Sequence, residues 1–143
     1  MYYLRVKVLE LLLFLDALEL SPANKEAWPY FYKTQVEKIK AIHKLMTENI
    51  TEHFTLKELA RRFDIPLTTM KSCFKSTYGN SIFDYMRTYR MNHAANLLRE
   101  QKDLSIAQIA GMVGYDSPGK FSSAFKEVIG DTPLAYRKFP VMR

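Results

Sequence analysis

The sequence predicts an all-α protein in which two helix-turn-helix subdomains are joined by a long central helix, with one further helix near the N-terminus. Three observations predict this fold. They are two capping signals fifty residues apart, a repeated residue pattern after each signal, and apolar residues at helical spacing between the repeats. The 143 residues, of which 48% are hydrophobic and 25% charged, suffice for a globular domain with its own core.

Two short sequences, TLKE at residues 55–58 and SIAQ at residues 105–108, begin the two repeats. In each, a Ser or Thr is followed three residues later by a Glu or Gln, which is the pattern of a capping box at a helix N-terminus. Aligning these signals also pairs downstream core positions, with one extra residue in the second copy: Leu59 with Ile109, Ala60 with Ala110, Phe63 with Val113, Met70 with Phe121, Phe74 with Phe125, and Gly79 with Gly130. Conserved caps, core positions and terminal glycines indicate a duplicated supersecondary unit.

Each copy predicts a short helix, a tight turn and a second helix, over about residues 55–79 and about residues 105–130. The turn contains Gly114 in the second copy and Asp64 in the first, and both residue types tolerate a positive φ angle. The small Ala60 and Ala110 allow the paired helices to approach closely, which favours a helix-turn-helix. A plain αα-hairpin is the alternative.

The outer face of each second helix favours nucleic-acid binding over a plain hairpin. Its residues are short, polar or basic, namely Thr68, Thr69, Lys71, Ser72 and Lys75 in the first copy and Gly119, Lys120, Ser122, Ser123 and Lys126 in the second. Inward positions are apolar in both copies. Such a face can approach a DNA duplex without acidic groups that repel phosphate. The net charge of +6 and pI near 9.4 are compatible with a polyanionic partner.

The segment Ser81 to Glu100 between the copies has apolar residues at helical spacing and predicts the central helix. Twenty helical residues span about 30 Å. Adjacent major-groove faces on one side of B-DNA lie roughly 34 Å apart. A single chain is therefore expected to present two reading heads about one turn of DNA apart.

The apolar segment Leu4 to Leu20 predicts a helix with hydrophobic residues on both faces. Glu10, Asp16 and Glu19 interrupt it, so it does not match a membrane span, and its uncharged run is too short for a signal peptide. Burial against its own domain and burial in a homodimer or a missing domain remain equal alternatives. Ser-Pro at 21–22 and Trp-Pro at 28–29 then predict a linker or a broken helix, which divides the chain into residues 1–34 and 35–143.

Enzymatic, metal and cofactor chemistry find little support in the sequence. Cys73, the single cysteine, excludes an intramolecular disulfide and suits a reducing cytosol. It stands at a core-facing position beside Phe74, where we expect a structural thiol and not a nucleophile. His43, His53 and His93 stand in no metal-ligand spacing. We therefore expect a protein that is not an enzyme and that uses no cofactor or metal.

The sequence IAGMVGYDSPGKFSSAFK followed by GDTPLAYR, within Arg90 to Lys138, resembles the signature of the AraC/XylS transcriptional regulators. The resemblance extends over about residues 39–139. It implies a pair of homeodomain-like helix-turn-helix subdomains that bind successive major grooves of double-stranded promoter DNA. It also implies a bacterial, cytoplasmic regulator that contacts RNA polymerase. A helical protein-interaction module that has lost DNA binding is the alternative function.

Carried over position by position, the resemblance assigns base contacts to Thr68, Lys71, Ser72, Lys120, Ser122 and Ser123. It assigns contacts with the DNA backbone to Arg62, Thr69, Lys75, Pro118, Gly119 and Lys126. Lysine can donate to guanine acceptors, and serine or threonine can bond several base edges.

Two positions depart from the family pattern. Pro66 stands where a capping Ser or Thr is usual, so the first recognition helix is expected to begin differently or to use the proline as its first residue. Gly119 offers no side chain to a base, so specificity in the second copy is expected to depend on Lys120. Family members usually carry an effector or dimerisation domain before the DNA reader, and Leu4 to Leu20 looks like the linker end of such a longer regulator.

Overall fold

A computed structural model describes residues 2–19 and 31–139, and every regular element in these ranges is an α-helix. The chain divides into two compact units, Met1–Tyr32 and Lys33–Arg143. The first contains α1, Tyr2–Glu19. The second contains α2 Lys33–Glu48, α3 Leu56–Arg62, α4 Leu67–Tyr78, α5 Ile82–Glu100, α6 Ile106–Met112, α7 Pro118–Ile129 and α8 Pro133–Lys138. The predicted all-α fold is confirmed, with helix-turn-helix pairs α3–α4 and α6–α7 joined by α5.

Helix α1 corresponds to the apolar segment near the N-terminus. Its central hydrophobic side chains are exposed, including Val8, Leu9, Leu11 and Leu13. None of the helices within the described ranges is long and apolar enough to cross a membrane. The linker predicted at residues 21–29 lies outside the described residues.

Both predicted capping boxes are present. Glu58 N donates to Thr55 Oγ1 at 3.1 Å, and Thr55 N donates back to Glu58 Oε2 at 3.0 Å. At the start of α6, Gln108 N donates to Ser105 Oγ at 3.0 Å, and Ser105 N donates to Gln108 Oε1 at 2.8 Å. These bonds fix the beginnings of two seven-residue helices that are too short to be stable alone.

The two turns share one backbone geometry. Asp64 has φ of 49° and Gly114 has φ of 89°, as the turn chemistry predicted. In each copy the amide after the turn residue donates to the carbonyl of the aligned alanine, Ile65 N to Ala60 O at 3.0 Å and Tyr115 N to Ala110 O at 2.8 Å. The non-glycine turn has extra support, because Lys38 Nζ on α2 donates to Asp64 O at 2.7 Å.

The two recognition helices begin in different ways. Ser117 caps α7, accepting from Lys120 N at 3.4 Å, and Pro118 occupies the first turn. Pro66 is the N-cap residue of α4, with ψ of 139°. The expectation that Pro66 could serve as the first helical residue is wrong, because its extended ψ leaves Leu67 to begin the helix while the Pro66 carbonyl accepts from Met70 N at 2.8 Å.

Helix α5 supplies buried residues to both subdomains. Ile82 and Met86 are buried in its first half, and Met91, Ala94 and Leu98 are buried in its second half. The helix packs on α2 and α4 of the first subdomain and on α6, α7 and α8 of the second. The two helix-turn-helix units therefore share one helix.

Helix α8 completes the core of the second subdomain and was missed by the sequence reasoning. Thr132 caps it, accepting from Ala135 N at 3.2 Å, and Pro133 follows in the first turn. Tyr136 is 6% exposed, and its ring packs edge-on against Phe125 with centroids 5.5 Å apart. The Thr-Pro of the GDTPLAYR motif is thus a helix start signal.

An aromatic cluster around His43 braces the first subdomain. The His43 ring stacks on Tyr78 with centroids 4.3 Å apart, and its Nε2 is 2.7 Å from Tyr85 Oη in a hydrogen bond. Burial lowers the pKa of His43 below its ordinary value of 6.5. The neutral imidazole is the form that this cluster stabilises.

We expect the stability of the protein to fall as the pH drops below the ordinary histidine pKa. In the unfolded chain His43 binds a proton near pH 6.5, whereas the folded protein takes it only at lower pH, so its contribution is complete above 6.5 and is lost on acidification. Chemical denaturation between about pH 7.5 and about pH 5.5 should show a steeper loss for the wild type than for His43→Gln. His93→Gln, at an exposed position, should keep the wild-type slope. Equal slopes for the wild type and His43→Gln would contradict the assignment.

Candidate nucleic-acid interface

The outward side of α4 carries one continuous polar stripe. Its members are exposed and recur at intervals of three and four residues: Thr68, Lys71, Ser72 and Lys75. The opposite side is fully buried, with Met70, Cys73 and Phe74 in the core. Helix α4 contains two lysines and no acidic residue, so this stripe is uniformly polar or basic. The buried side fixes the helix, and the stripe is free to meet a ligand.

The corresponding stripe on α7 is less basic. Gly119, Ser123 and Lys126 are exposed, whereas Ser122 is half-buried. The one acidic residue of α7, Glu127, forms a hydrogen-bonded ion pair with Arg87 on α5. This pairing neutralises the carboxylate that would otherwise repel phosphate.

The two lysines predicted to read bases stand at non-equivalent positions. In the repeat alignment Lys120 corresponds to the half-buried Thr69, and Ser122 corresponds to Lys71. At 3.6 residues per turn, Lys120 lies about 100° around α7 from Gly119, at the edge of the stripe, while Lys71 lies within the stripe of α4. Lys120 is exposed, and its long side chain gives it reach from that edge.

Of the residues assigned to the DNA backbone, Lys75, Gly119 and Lys126 belong to the stripes themselves. Arg62 is exposed at the end of α3, in the helix before the first turn. Thr69 is half-buried, and Pro118 is exposed at the start of α7. Pro66 has no side-chain oxygen to cap α4, so the first amides of that helix keep their donors for an outside acceptor such as phosphate.

The surroundings of Cys73 favour a structural thiol. The residue is fully buried, and burial raises its pKa, an effect that the neighbouring Thr77 partly offsets. A raised pKa keeps the sulfur protonated at neutral pH, which is the unreactive form. In the part of the chain that the structure describes, no group of three His, Cys, Asp or Glu side chains is arranged to hold a metal ion.

Sequence reasoning missed a second set of polar side chains, which bind the protein itself. Arg90 Nε on α5 donates to Ile50 O at 3.0 Å, and its Nη2 donates to Glu52 O at 3.1 Å. His53 Nε2 donates to Gly114 O at 2.6 Å. The partners are 38 to 61 residues apart, so no local spacing announces them.

The two units have equivalent capping boxes at their first helices, equivalent turns and equivalent terminal glycines. Each presents a polar helix, and both share one central helix, which defines the class of tandem helix-turn-helix domains. A scan against protein families agrees. Residues 59–138 match the family described as a helix-turn-helix domain. That range is more than half of the chain.

Comparisons with known proteins identify the members of this class that the chain resembles. A Streptomyces lividans protein named as an AraC-like transcription regulator is 38% identical over 89 residues, which cover 62% of this chain and 29% of that protein. The C-terminal domain of AraT, a response regulator from Geobacillus stearothermophilus, matches with a TM-score of 0.67 and 27% identity over 74% of this chain and 88% of that one. The DNA-binding domain of AdpA, a global transcriptional factor, in complex with a target DNA, gives a TM-score of 0.66 and 28% identity over 71% and 90% of the two chains.

The chain therefore belongs to the helix-turn-helix domain family, and within it to the AraC type, which confirms the resemblance seen in the sequence. It spans less than a third of the length of the Streptomyces lividans relative, 29%.

Proposed function

We propose that this chain is a sequence-specific DNA-binding transcription regulator whose helices α4 and α7 enter successive major grooves of a promoter in the cytoplasm. The observation that carries the proposal is that α4 and α7 each present an exposed polar side and both pack on one helix, α5. The likeness to the AdpA domain, whose structure holds a target DNA, supports the same function.

In the first head we assign base contacts to Thr68, Lys71 and Ser72. Lys71 lies within an exposed stripe with Thr68 and Ser72 on either side of it, so all three can face one stretch of groove. A lysine ammonium donates to guanine O6 and N7, while the hydroxyls can donate or accept.

In the second head we assign base contacts to Lys120, Ser122 and Ser123. Gly119 leaves the start of α7 without a side chain, which permits close approach but gives no base contact. The half-buried Ser122 has less freedom than its counterpart Lys71. Lys120 is then the longest donor available near this end of α7.

Contacts with the DNA backbone are assigned to the flanking side chains and helix starts: Arg62, Thr69, Lys75, Pro118, Gly119 and Lys126. Cationic side chains and helix N-termini attract phosphate without reading sequence. These groups would set the register of the two heads on the duplex.

We further propose that residues 35–143 are the DNA-binding domain and that residues 1–34 are a linker that joins a second copy. The exposed apolar side chains of α1 support this, because such a helix gains stability by burying them. Homodimerisation through Leu4 to Leu20 would give one complex four reading helices. We also propose RNA polymerase as a partner of the promoter-bound protein.

Selection of bound duplexes from a random pool tests the proposed function directly. We expect a selected site with two sequence elements whose centres are about 10 base pairs apart. Affinity for this site should fall steeply with salt, by at least about tenfold between 50 and 200 mM, because neutralised phosphates release counterions. A chain that selects no sequence, or whose DNA binding is insensitive to salt, would instead be a protein-interaction module.

Substitutions should separate base readers from backbone contacts. Lys120→Ala should weaken the selected site by about 1–3 kcal/mol and random duplex much less, because it removes a base contact. Arg62→Ala should weaken both DNAs alike. Titration of labelled duplexes at one fixed salt concentration measures both effects. Equal losses on the two DNAs for Lys120→Ala would remove that residue from the base-reading set.

Light scattering should show what α1 does. We expect the full chain to be dimeric and a chain of residues 31–143 to be monomeric, because the truncation removes the exposed apolar helix. Leu9→Glu combined with Leu13→Glu in the full chain should also give a monomer, since charges oppose burial of that face. A monomer for both the full and the shortened chain would defeat the dimer proposal.

A further inference from the structure

Three polar contacts join the loop before α3 to the shared helix α5 and to the second head. Arg90, midway along α5, binds the carbonyls of Ile50 and Glu52 in the loop before α3. His53 in the same loop donates to the carbonyl of Gly114, in the turn between α6 and α7. We refer to Arg90, His53, Gly114 and loop 50–53 as the joint.

Gly114 allows the turn to sit directly against the loop. A Cβ at this position would lie 3.0 Å from Ile50 O and 3.2 Å from Thr51 Cα, both backbone atoms of the first head. Its φ of 89° separately disfavours a side chain. The glycine thus serves both its own turn and the approach of the other head.

Arg90 suits the joint through the shape of its guanidinium group. Two of its nitrogen atoms donate to two different carbonyls, and the planar guanidinium holds these donors in a fixed geometry. A lysine has one ammonium group on a flexible chain and does not offer two donor atoms in that geometry. The side chain is partly buried, and burial lowers the pKa of Arg90. Its removal would leave two carbonyls near the interface without this donor.

Apolar packing between the heads is limited beside the joint. A cleft of about 470 Å³ opens there, lined by side chains of both heads that include Met46, Phe54, Phe83 and Tyr115. The His53 hydrogen bond and the close approach of Gly114 connect loop 50–53 directly to the second head, and Arg90 connects the same loop to α5. Arg87 adds to it by holding Glu127 of α7 against α5.

We propose that the joint fixes the spacing and relative orientation of α4 and α7, and thereby selects promoters by the separation of their two half-sites. This inference rests on the proposed function, since spacing matters only to a protein that reads both elements. A rigid two-headed binder gains affinity when the second contact is pre-positioned, and it loses that gain when the geometry no longer fits. His53, Arg90 and Gly114 are accordingly positioning residues that touch no base.

The DNA test compares the selected site with two modified forms. In the first form one of the two elements is randomised. In the second form the spacing between the two elements is increased or decreased by one or two base pairs. Arg90→Met should bind the intact site roughly ten- to a hundredfold more weakly while binding the one-element duplex within about twofold of wild type, and it should tolerate altered spacing better. Equal losses on both duplexes, or unchanged spacing preference, would overturn the proposal.

A pair of glycine variants gives a matched control. Gly79 and Gly114 have φ angles of 86° and 89°, but a Cβ at Gly79 would meet no atom of the described residues within 4 Å. Gly79→Ala and Gly114→Ala therefore impose similar backbone strain, and only the second pushes the heads apart. Gly114→Ala should lose spacing preference and Gly79→Ala should retain it, at matched melting temperatures. The same spacing preference for the two variants would count against the joint.

A measurement without DNA separates the joint from the proposed function. Spin labels placed on exposed positions of the two heads, Ser76→Cys on α4 and Ala107→Cys on α6, report the distance between them in the full chain, where Cys73 is buried. The distance distribution should be narrow in the wild type and in Gly79→Ala, and broader or shifted in Arg90→Met and Gly114→Ala. Identical distributions would overturn the joint even if DNA binds as proposed. Broadening in a chain that selects no DNA would preserve the joint and refute the proposed function.

Discussion

The burial of α5 between two helix-turn-helix units is the interaction on which the rest of this fold depends. Helices α3 and α6 have seven residues each and would be marginal on their own in water. Their caps satisfy the free amides, but the stabilising energy comes from the apolar residues that each helix buries in its own subdomain, such as Leu59 and Ile109. Ile82 and Met86 serve one head, while Met91, Ala94 and Leu98 serve the other. Both heads therefore depend on α5, each through a different half of the helix.

The duplication explains which features are the same in both heads and which have diverged. The capping boxes of α3 and α6, the positive-φ turns and the terminal glycines are equivalent, because they are set by the backbone of the unit itself. The rings around each core differ: the first head packs tyrosines on His43, and the second packs Phe121, Phe125 and Tyr136 on one another. A core tolerates such exchange if volume and patterning are kept. The first cluster contains a histidine, His43, whose pKa is lowered by burial.

The sequence was sufficient for features that depend on near neighbours. The capping boxes at Thr55 and Ser105 and the turn glycine could be read within a few residues, because their hydrogen bonds close over three to five positions. The joint could not be predicted from the sequence, because Arg90 contacts its partners only in the folded chain. The helical spacing of apolar residues was enough to predict which sides of α4 and α7 are exposed. The position of Lys120 at the edge of its stripe became clear only when the two copies were aligned residue by residue. Helix α8 was hidden within a motif recognised for its family signature.

The two heads are unequal in a way that gives the joint its importance. The first presents Lys71 within an exposed stripe and an uncapped helix start, both suited to direct contact with the duplex. The second presents a glycine, a half-buried serine and a lysine at the edge of its stripe, so the base contacts proposed for it depend more on the angle at which α7 would approach the groove. In the proposed arrangement two interactions set that angle. They are the ion pair between Arg87 and Glu127 and the close contact between the turn at Gly114 and loop 50–53. If the second head is held rigidly beside the first, it adds specificity even when its own base contacts are weak. A correct half-site at the wrong distance from the first half-site lies out of its reach.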